Sequence, residues 1–210
     1  MIRTTSLRFA YQNTKTHTFY FPDIDLSFEQ NALILGNSGI GKTTLLHLIA
    51  GLLIPKKGNI FIGNTCVQEL TRNQLNNFRG KQIGIIFQRT YFIKSLTLLE
   101  NLKIREKLSK KTTDQQRRIR LIEQLELTEV RNKKVYELSE GQRQRLSIAL
   151  GIIHKPKVIL ADEPTSNLDD KNCEKVISLL KKEARICKSN LVIITHDQRV
   201  KPHFDKHIIL

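Results

Sequence analysis

Two kinds of hydrophobic pattern alternate along the chain. Short, mostly apolar runs at 32–35, 158–161 and 190–194 have the length and content of buried strands. Longer stretches at 43–53 and 171–186 carry apolar residues three and four positions apart, which indicates helices. Because fully apolar strands that alternate with helices form parallel sheets covered on both faces, the pattern predicts an α/β fold.

The pattern changes on either side of this α/β region. Residues 1–30 alternate in short runs with Thr, Phe and Tyr, which is typical of antiparallel hairpins. Residues from about 89 to 153 contain long charged segments with apolar residues at helical spacing, most clearly RRIRLIEQLELTEV. We therefore expect a single domain over residues 1–210, in which residues 1–88 and 154–210 form the core around an inserted helical lobe.

Composition narrows the class of protein. The chain is 40% hydrophobic and 26% charged, as in ordinary globular proteins. No stretch approaches the roughly 20 apolar residues that a membrane-spanning helix needs. The first residues, MIRTTSLRFAYQ, do not form an apolar signal segment, so we expect the chain in the cytosol. Three widely spaced cysteines are interpreted as reduced structural thiols: Cys66, Cys173 and Cys187.

The chain is strongly basic, with a formal net charge of +15. Such a charge suits an anionic partner, either nucleic acid or the cytosolic face of a membrane. The alternative interpretation is a solvated helical face, and charge alone does not choose between them. Part of the charge lies in one stretch: Lys103, Arg105, Lys107, Lys110, Lys111, Arg117, Arg118 and Arg120.

A glycine-rich turn lies between a predicted strand and a predicted helix. Residues 36–43, GNSGIGKT, fit the phosphate-binding pattern G-x-x-x-x-G-K-[ST]. Glycines permit the positive φ that bends the loop, its N–H groups point inward, and the helix N-terminus adds partial positive charge. We predict that Lys42 reaches the β- and γ-phosphates and that Thr43 binds Mg²⁺. The predicted nucleotide-binding residues of this turn are Gly36, Asn37, Ser38, Gly39, Gly41, Lys42, Thr43 and Thr44.

Two acidic residues follow a second apolar strand. At the carboxyl end of that strand, Asp162 can lie beside the Mg²⁺, in its first or second shell. Glu163 is then free to polarise a water molecule. An acidic loop explains two adjacent acids equally well. Together with the glycine-rich turn, however, they predict hydrolysis of a nucleoside triphosphate, with ATP and Mg²⁺ as the bound groups.

The segment LSEGQRQR, at 138–145, lies shortly before the acidic strand. It resembles the signature motif L-S-G-G-Q of the ATP-binding subunits of ABC transporters. A serine cap on an ordinary helix would look the same, because S-x-x-Q also fits a capping box. In that family the signature motif of one subunit contacts the ATP held by the other. The resemblance therefore implies that Ser139, Gly141 and Gln142 contact ATP across a dimer, with an identical or a paralogous ATPase subunit.

The other motifs of that family occur in the same order. IIFQ ends at Gln88, which resembles the glutamine that senses Mg²⁺ and water and contacts the membrane partner. SNLD ends at Asp169 and resembles the D-loop, which crosses the dimer interface. ITHD places His196 where the family's switch histidine contacts the γ-phosphate, and Tyr11 in LRFAY matches the aromatic that stacks on adenine. An ordinary strand end, a core histidine and a strand aromatic are the alternatives for Gln88, His196 and Tyr11.

Two positions refine the resemblance. Glu140 stands where the signature motif usually has glycine, which puts a carboxylate close to the partner's ATP and lowers the expected affinity unless Glu140 points away. Asn167, in EPTSNLD, favours the lipoprotein-release, macrolide-export and cell-division subunits over importer subunits.

The resemblance implies a phosphate-loop NTPase core with a mostly parallel sheet, an N-terminal antiparallel β subdomain and an inserted helical lobe. It also implies an ATP-hydrolysing motor subunit with Glu163, His196 and Gln88 at the catalytic centre. This subunit would drive a separate integral membrane protein, bound near residues 91–101, at the inner face of the cell membrane. The alternative is a soluble ABC-type ATPase that acts on nucleic acid or ribosomes. The charge favours that alternative, but such relatives carry paired domains or long coiled coils, so nucleic acid is not the expected partner.

Overall fold

The computed structural model describes residues 1–11, 18–89, 91–166 and 168–210. Within these ranges the strands are β1 (Ile2–Phe9), β2 (Phe19–Tyr20), β3 (Asp25–Leu26), β4 (Ala32–Leu35), β5 (Lys57–Ile62), β6 (Thr65–Cys66), β7 (Ile83–Ile86), β8 (Val158–Asp162), β9 (Asn190–Ile194) and β10 (His207–Ile209). The helices are α1 (Lys42–Ile49), α2 (Arg72–Gln82), α3 (Leu98–Leu108), α4 (Gln115–Gln124), α5 (Glu140–Ile152) and α6 (Asp170–Cys187). Short 3-10 helices cover Val67–Glu69, Thr128–Val130, Val135–Glu137 and Gln198–His203.

A parallel sheet with the strand order β10-β4-β9-β8-β7 forms the centre of the fold. Every residue of β8 and β9 is buried, which explains why their sequences are apolar runs without alternation. The carboxyl ends of four of these strands lead into the glycine-rich turn, Gln88, Asp162 and His196. The sheet therefore brings four separate motifs to one edge, where parallel sheets bind ligands.

An antiparallel sheet covers the N-terminal side of the molecule. Its order is β2-β1-β5-β6, with β3 pairing the other end of β1. A continuous buried cluster joins this sheet to α1 and to the parallel sheet, and includes Ile2, Leu45, Ile49, Ile60 and Ile194. The α/β class, with one parallel and one antiparallel sheet, is confirmed.

Helices α3, α4 and α5 lie between β7 and β8 in the chain. Their apolar faces share a second buried cluster with the parallel sheet and α6, including Leu102, Leu121, Ile148, Ile159 and Ile177. The division into a core of residues 1–88 and 154–210 and a helical lobe of residues 89–153 stays a prediction. No helix in the described residues is long and apolar enough to cross a membrane.

Helix α5 crosses β7 at two glycines. A Cβ added to Gly84 would lie 2.0 Å from the main-chain oxygen of Gly151, and one added to Gly151 would lie 2.6 Å from Cγ1 of Ile86. Because even an alanine does not fit at this crossing, the backbones of helix and strand are in direct contact. The strand that leads to Gln88 thus fixes the helix that begins just after Ser139.

Three elements differ from the pattern-based expectations. Helix α2 is not predicted, because it fully buries no residue and has only two large apolar residues, Leu75 and Phe78, which pack against the core. A capping box between Thr71 and Gln74 starts the helix. The helix predicted over 43–53 ends at Ile49, since Gly51 adopts a φ of +64°. Strand β10 is too short to be recognised from its pattern. The three cysteines are free and buried, as expected.

The most buried arginines and lysines of the basic stretch at 103–120 neither face an anionic partner nor form a solvated surface. They bind other parts of the chain. Arg117 is 4% exposed, and it donates to the main-chain oxygens of Ile152 and Ile153 at 2.8 and 3.0 Å and to Glu183 on α6 at 2.7 Å. Other residues of the stretch also bind within the chain. Arg118 pairs with Glu106, and Arg105 contacts His154. Lys111 donates to the carbonyls of His154 and Lys155. Much of this charge therefore ties α3 and α4 to the end of α5.

Candidate nucleotide-binding site

The glycine-rich turn connects β4 to α1 in a conformation that needs glycine. Gly39 and Gly41 have φ angles of +82° and +105°, a region that L side chains rarely adopt. A Cβ on Gly41 would also lie 2.7 Å from Cδ1 of Phe19. The turn therefore bends at Gly39 and starts the helix at Gly41, as the motif predicts.

Lys42 and Thr43 open α1 and point back toward the turn. The Lys42 ammonium donates to the main-chain oxygens of Gly36 and Asn37 at 2.8 and 2.9 Å. The Thr43 hydroxyl donates to Oδ2 of Asp162 at 2.7 Å. A cation, the amide-rich start of a helix and a hydroxyl–carboxylate pair thus lie together at the edge of the sheet, which is an arrangement suited to phosphate.

These residues line a cavity of about 580 Å³. The cavity collects most of the predicted site: Gly36, Asn37, Ser38, Gly39, Gly41, Lys42, Thr43, Thr44, Gln88, Asp162, Glu163 and His196. Phe19 also lines it and was not predicted from the sequence, because nothing in its local pattern distinguishes it from other strand aromatics.

The oxygen atoms at the cavity's base fit a magnesium ion. Mg²⁺ takes hard oxygen ligands and usually keeps water and substrate phosphates around one or two carboxylates. Thr43 and Asp162 supply one hydroxyl and one carboxylate within hydrogen-bond distance. Burial raises the pKa of Asp162, which favours protonation unless a cation is near.

Glu163 occupies a turn of unusual backbone geometry. Its φ is +49°, an angle that a side chain with a Cβ adopts only when its surroundings hold it there. Three hydrogen bonds hold this turn. The Glu163 N–H donates to the Ile194 oxygen at 2.8 Å, and the Ser166 hydroxyl and main-chain N–H donate to the Glu163 oxygen at 2.9 and 3.2 Å. The geometry directs the carboxylate toward the end of β9.

The carboxylate of Glu163 is held by protein groups. Oε2 accepts the Thr195 hydroxyl at 2.7 Å, and Oε1 accepts the main-chain N–H of His196 at 3.2 Å and its Nδ1 at 2.8 Å. The sequence-based expectation of a carboxylate free to polarise water differs from this arrangement. Thr195, quoted within ITHD but given no role, is the partner that sequence reasoning missed. The His196 side chain is 76% exposed although its Nδ1 is bonded to Glu163, and it lines the cavity.

Tyr11 lies at the entrance of the turn. Its hydroxyl is 3.0 Å from the Thr44 hydroxyl, and its ring meets Phe9 and Phe19 edge-on at centroid distances of 4.8 and 6.3 Å. The ring is 42% exposed. An exposed aromatic beside a phosphate-binding turn can stack on a base, and the assignment to adenine stays a prediction.

The signature and D-loop residues lie elsewhere on the surface. Ser139 caps α5 in a reciprocal capping box with Gln142. The serine therefore acts as a helix cap, and this role is compatible with contact to a nucleotide. Gly141 has open space around it, and Asp169 caps α6. Ser139, Gly141, Gln142 and Asp169 are not among the described residues that line the cavity around Lys42. Asn167, which indicated the subgroup, lies outside the described residues.

Comparison with known proteins shows the family to which the chain belongs. A profile of the family described as "ABC transporter" matches residues 22–166. The lipoprotein-releasing system ATP-binding protein LolD of Legionella pneumophila (strain Lens) is 35% identical over 90% of this chain and 84% of its own length. The corresponding LolD of Xanthomonas oryzae pv. oryzae is 34% identical over 98% of this chain and 86% of its own.

A solved structure has the same fold. The dimeric ATP-binding cassette MJ0796, in a post-hydrolysis state bound to ADP and Pi, has a TM-score of 0.91 and 30% identity, over 100% of this chain and 94% of its own. The fold, the glycine-rich turn and these relatives agree. The chain belongs to the ABC transporter family, as an ATP-binding subunit that hydrolyses ATP to drive a transporter.

Proposed function

We propose that the chain hydrolyses ATP in the cavity around Lys42, in a head-to-tail dimer that moves a separate membrane-spanning subunit. The observation that carries the proposal is that three interactions come together at one edge of the parallel sheet. Lys42 lies on the glycine-rich turn, Thr43 bonds to Asp162, and Glu163 bonds to His196. Hydrolysis of a phosphoanhydride needs mainly these parts: positioning, neutralisation of charge and an oriented water.

Each predicted site residue has a role in this proposal. Lys42 and the N–H groups of residues 36–44 bind the β- and γ-phosphates, and Tyr11 stacks on adenine. Thr43, Asp162 and Gln88 would hold a Mg²⁺ ion, which would offset the negative charge of the phosphates. Glu163 accepts a proton from the attacking water, and His196 contacts the γ-phosphate while its other nitrogen stays bonded to Glu163.

The second subunit completes the site. Ser139, Gly141, Gln142 and Asp169 lie outside the chain's own cavity, which supports their contact with a nucleotide held by a partner. A capped helix N-terminus offers N–H donors and partial positive charge to a γ-phosphate. Glu140, exposed in the first turn of that helix, weakens this attraction. We propose an identical copy as the partner, with a paralogue as the alternative.

An apolar groove beside Gln88 provides a surface for the membrane subunit. It has a volume of about 870 Å³ and lies between the end of β7 and helices α3 and α5. Three large side chains in it are mostly exposed, namely Tyr91, Leu108 and Tyr136. We propose that a cytoplasmic helix of an integral membrane protein fills the groove and holds the chain at the inner face of the membrane. The names of the relatives favour a system of the lipoprotein-releasing type.

Affinity purification tests this function directly. The tagged chain is expressed in its own cells, membranes are solubilised gently, and co-purifying proteins are identified. We expect a stoichiometric integral membrane protein with the wild type and with Tyr20→Asp, a change at an exposed tyrosine of β2 that does not line the groove. Tyr91→Asp should lose that partner, because a buried unpaired carboxylate costs several kcal/mol at an apolar interface, roughly a hundredfold or more in affinity. Recovery only from the soluble fraction, together with RNA or DNA, would contradict the proposal.

A further inference from the structure

Two loops that flank Glu163 are joined by one guanidinium group. The first is the switch turn, defined as residues 195–197, which contains His196. The second is the D-loop, residues 166–169, of which Asn167 lies outside the described residues. Arg199, at the start of the 3-10 helix that follows the switch turn, contacts both loops, and no role follows for it from the motifs.

On one side, Arg199 binds the carboxylate of Asp197 side-on. Nε donates to Oδ1 at 2.9 Å and Nη2 to Oδ2 at 2.8 Å, while the main-chain N–H of Arg199 donates to Oδ1 at 3.0 Å. The same carboxylate accepts the hydroxyl of Thr165 at 2.9 Å. Arg199 lowers the pKa of Asp197 to about 2, so the carboxylate is charged at any physiological pH.

On the other side, Arg199 holds the D-loop. Nη1 and Nη2 each donate to the main-chain oxygen of Leu168 at 3.2 Å, and Nη1 donates to Oδ1 of Asp170 at 2.6 Å. Asp170 is the first residue of α6 and follows Asp169, which caps that helix. The five N–H groups of a guanidinium thus match the contacts made to Asp197, Leu168 and Asp170.

These contacts continue to the carboxylate at the catalytic centre. The main-chain N–H of Asp197 donates to the Thr195 hydroxyl at 3.0 Å, and that hydroxyl donates to Oε2 of Glu163 at 2.7 Å. A path of hydrogen bonds, continued through the covalent structure of Asp197, therefore runs from Glu163 through Thr195 to the guanidinium. From there it reaches the main chain of the D-loop.

We propose that Arg199 is a positioning residue, which fixes the D-loop to the switch turn so that Asp169 and the Glu163–His196 pair keep one relative arrangement. The inference rests on the proposed function, because Asp169 matters to hydrolysis only if the D-loop meets a second subunit. The exposed pair with Asp170 contributes little by itself. The two bonds to Asp197 and the two to the Leu168 carbonyl are the contacts that fix the loops.

Arg199→Gln and Arg199→Lys test the proposal, with Lys201→Gln as the matched control. Lys201 is an exposed cation on the same 3-10 helix. In Arg199→Gln we expect kcat for ATP to fall about 10- to 100-fold, because small displacements of positioned groups cost rates of that order. The affinity of the single chain for a fluorescent ATP analogue should stay unchanged. Arg199→Lys should lie between, since an ammonium cannot reach Asp197 and Leu168 in the same fork.

Asp170→Asn measures the contribution of the exposed ion pair alone. Asp170 is exposed, so the variant keeps its fold, and kcat should fall by less than in Arg199→Gln. The double variant Arg199→Gln/Asp170→Asn should equal Arg199→Gln, because both changes remove the same contact. The proposal is overturned if Arg199→Gln has the same kcat as the control Lys201→Gln. If Arg199→Gln does not fold in a thermal melt, a kcat in Arg199→Lys equal to that of Lys201→Gln overturns it.

The same measurements distinguish failure of the proposed function. If the wild type and Lys201→Gln neither hydrolyse ATP nor dimerise with it, the proposed function fails and the role of Arg199 fails with it. If both are active and only the Arg199 variants lose kcat at unchanged nucleotide affinity, the positioning role is supported.

Discussion

At the scale of single residues, the proposed role of Glu163 as the proton acceptor depends on the hydrogen bonds that its carboxylate accepts. Its carboxylate is 8% exposed and accepts hydrogen bonds from Thr195 and His196. A buried carboxylate with several donors is strongly oriented, so it can take a proton from water only along its remaining lone pairs. The positive φ of Glu163 is part of this orientation, because a relaxed backbone would turn the side chain elsewhere.

Glu163→Gln tests the role of that carboxylate. A glutamine keeps the size and can still accept from Thr195, but it cannot take a proton, so we expect ATP turnover to fall at least about 100-fold. Nucleotide binding should persist, and size-exclusion chromatography with ATP should show a trapped dimer. Glu123→Gln, on the exposed side of α4, serves as the control and should hydrolyse ATP like the wild type. Wild-type turnover in Glu163→Gln would show that another group is the base.

At this scale the sequence could predict those site residues whose roles depend only on their neighbours along the chain. The glycines, Lys42 and Thr43 form one continuous motif, whose physical function follows from neighbouring residues. Arg199 could not be found that way, because its acceptors on Asp197, Leu168 and Asp170 come together only when two loops fold side by side. The same limit applies to the pairing of Glu163 with Thr195.

At the scale of elements, α5 is the connection between sheet and signature motif. Its C-terminal end crosses β7 at Gly84 and Gly151, and its last carbonyls are bonded to Arg117 from α4. The apolar periodicity predicted a helical lobe here, most clearly at α4, and the capping pattern at Ser139 indicated α5, but neither predicted this attachment. Buried arginines look like surface charge in a sequence, because only tertiary packing shows that a guanidinium fills the end of another helix.

His154, just beyond α5, gives this junction a measurable pH dependence. It is 4% exposed and its Nε2 lies 2.9 Å from Nη2 of Arg105; burial and that charge lower its pKa to about 3. Between pH 6.5 and 3 the unfolded chain binds a proton that the folded chain does not. The free energy of unfolding should therefore fall as the pH falls, by up to about 1.4 kcal/mol per pH unit from this group.

Urea denaturation at pH 7 and pH 5 measures that dependence. His154→Gln keeps a hydrogen-bonding side chain that does not titrate, so the variant should lose about 1 to 2 kcal/mol less than the wild type between these two pH values. His207→Gln, at an exposed position of β10, is the control and should retain the wild-type difference. Equal losses in the wild type and in His154→Gln would show that His154 is not the group responsible.

At the scale of the whole molecule, the proposed function combines one surface from each of two chains. Lys42 and Glu163 line one cavity, whereas Ser139 lies outside it at the start of α5. If each site combines the cavity of one subunit with the signature motif of the other, a dimer of Lys42→Ala with Ser139→Ala contains one site without any substitution. Both defects then fall in the other site. Each variant alone has two defective sites.

Mixing the two variants therefore should restore activity. Random pairing makes half of the dimers mixed, with one intact site in two, so we expect about one quarter of the wild-type ATPase rate per chain if the sites act independently. A mixture of Lys42→Ala with Glu163→Gln is the matched control. Those two residues belong to the same cavity, so every mixed dimer has a defect in each site and no activity should return. Recovery in both mixtures, or in neither, would contradict a site shared head to tail between two copies of this chain.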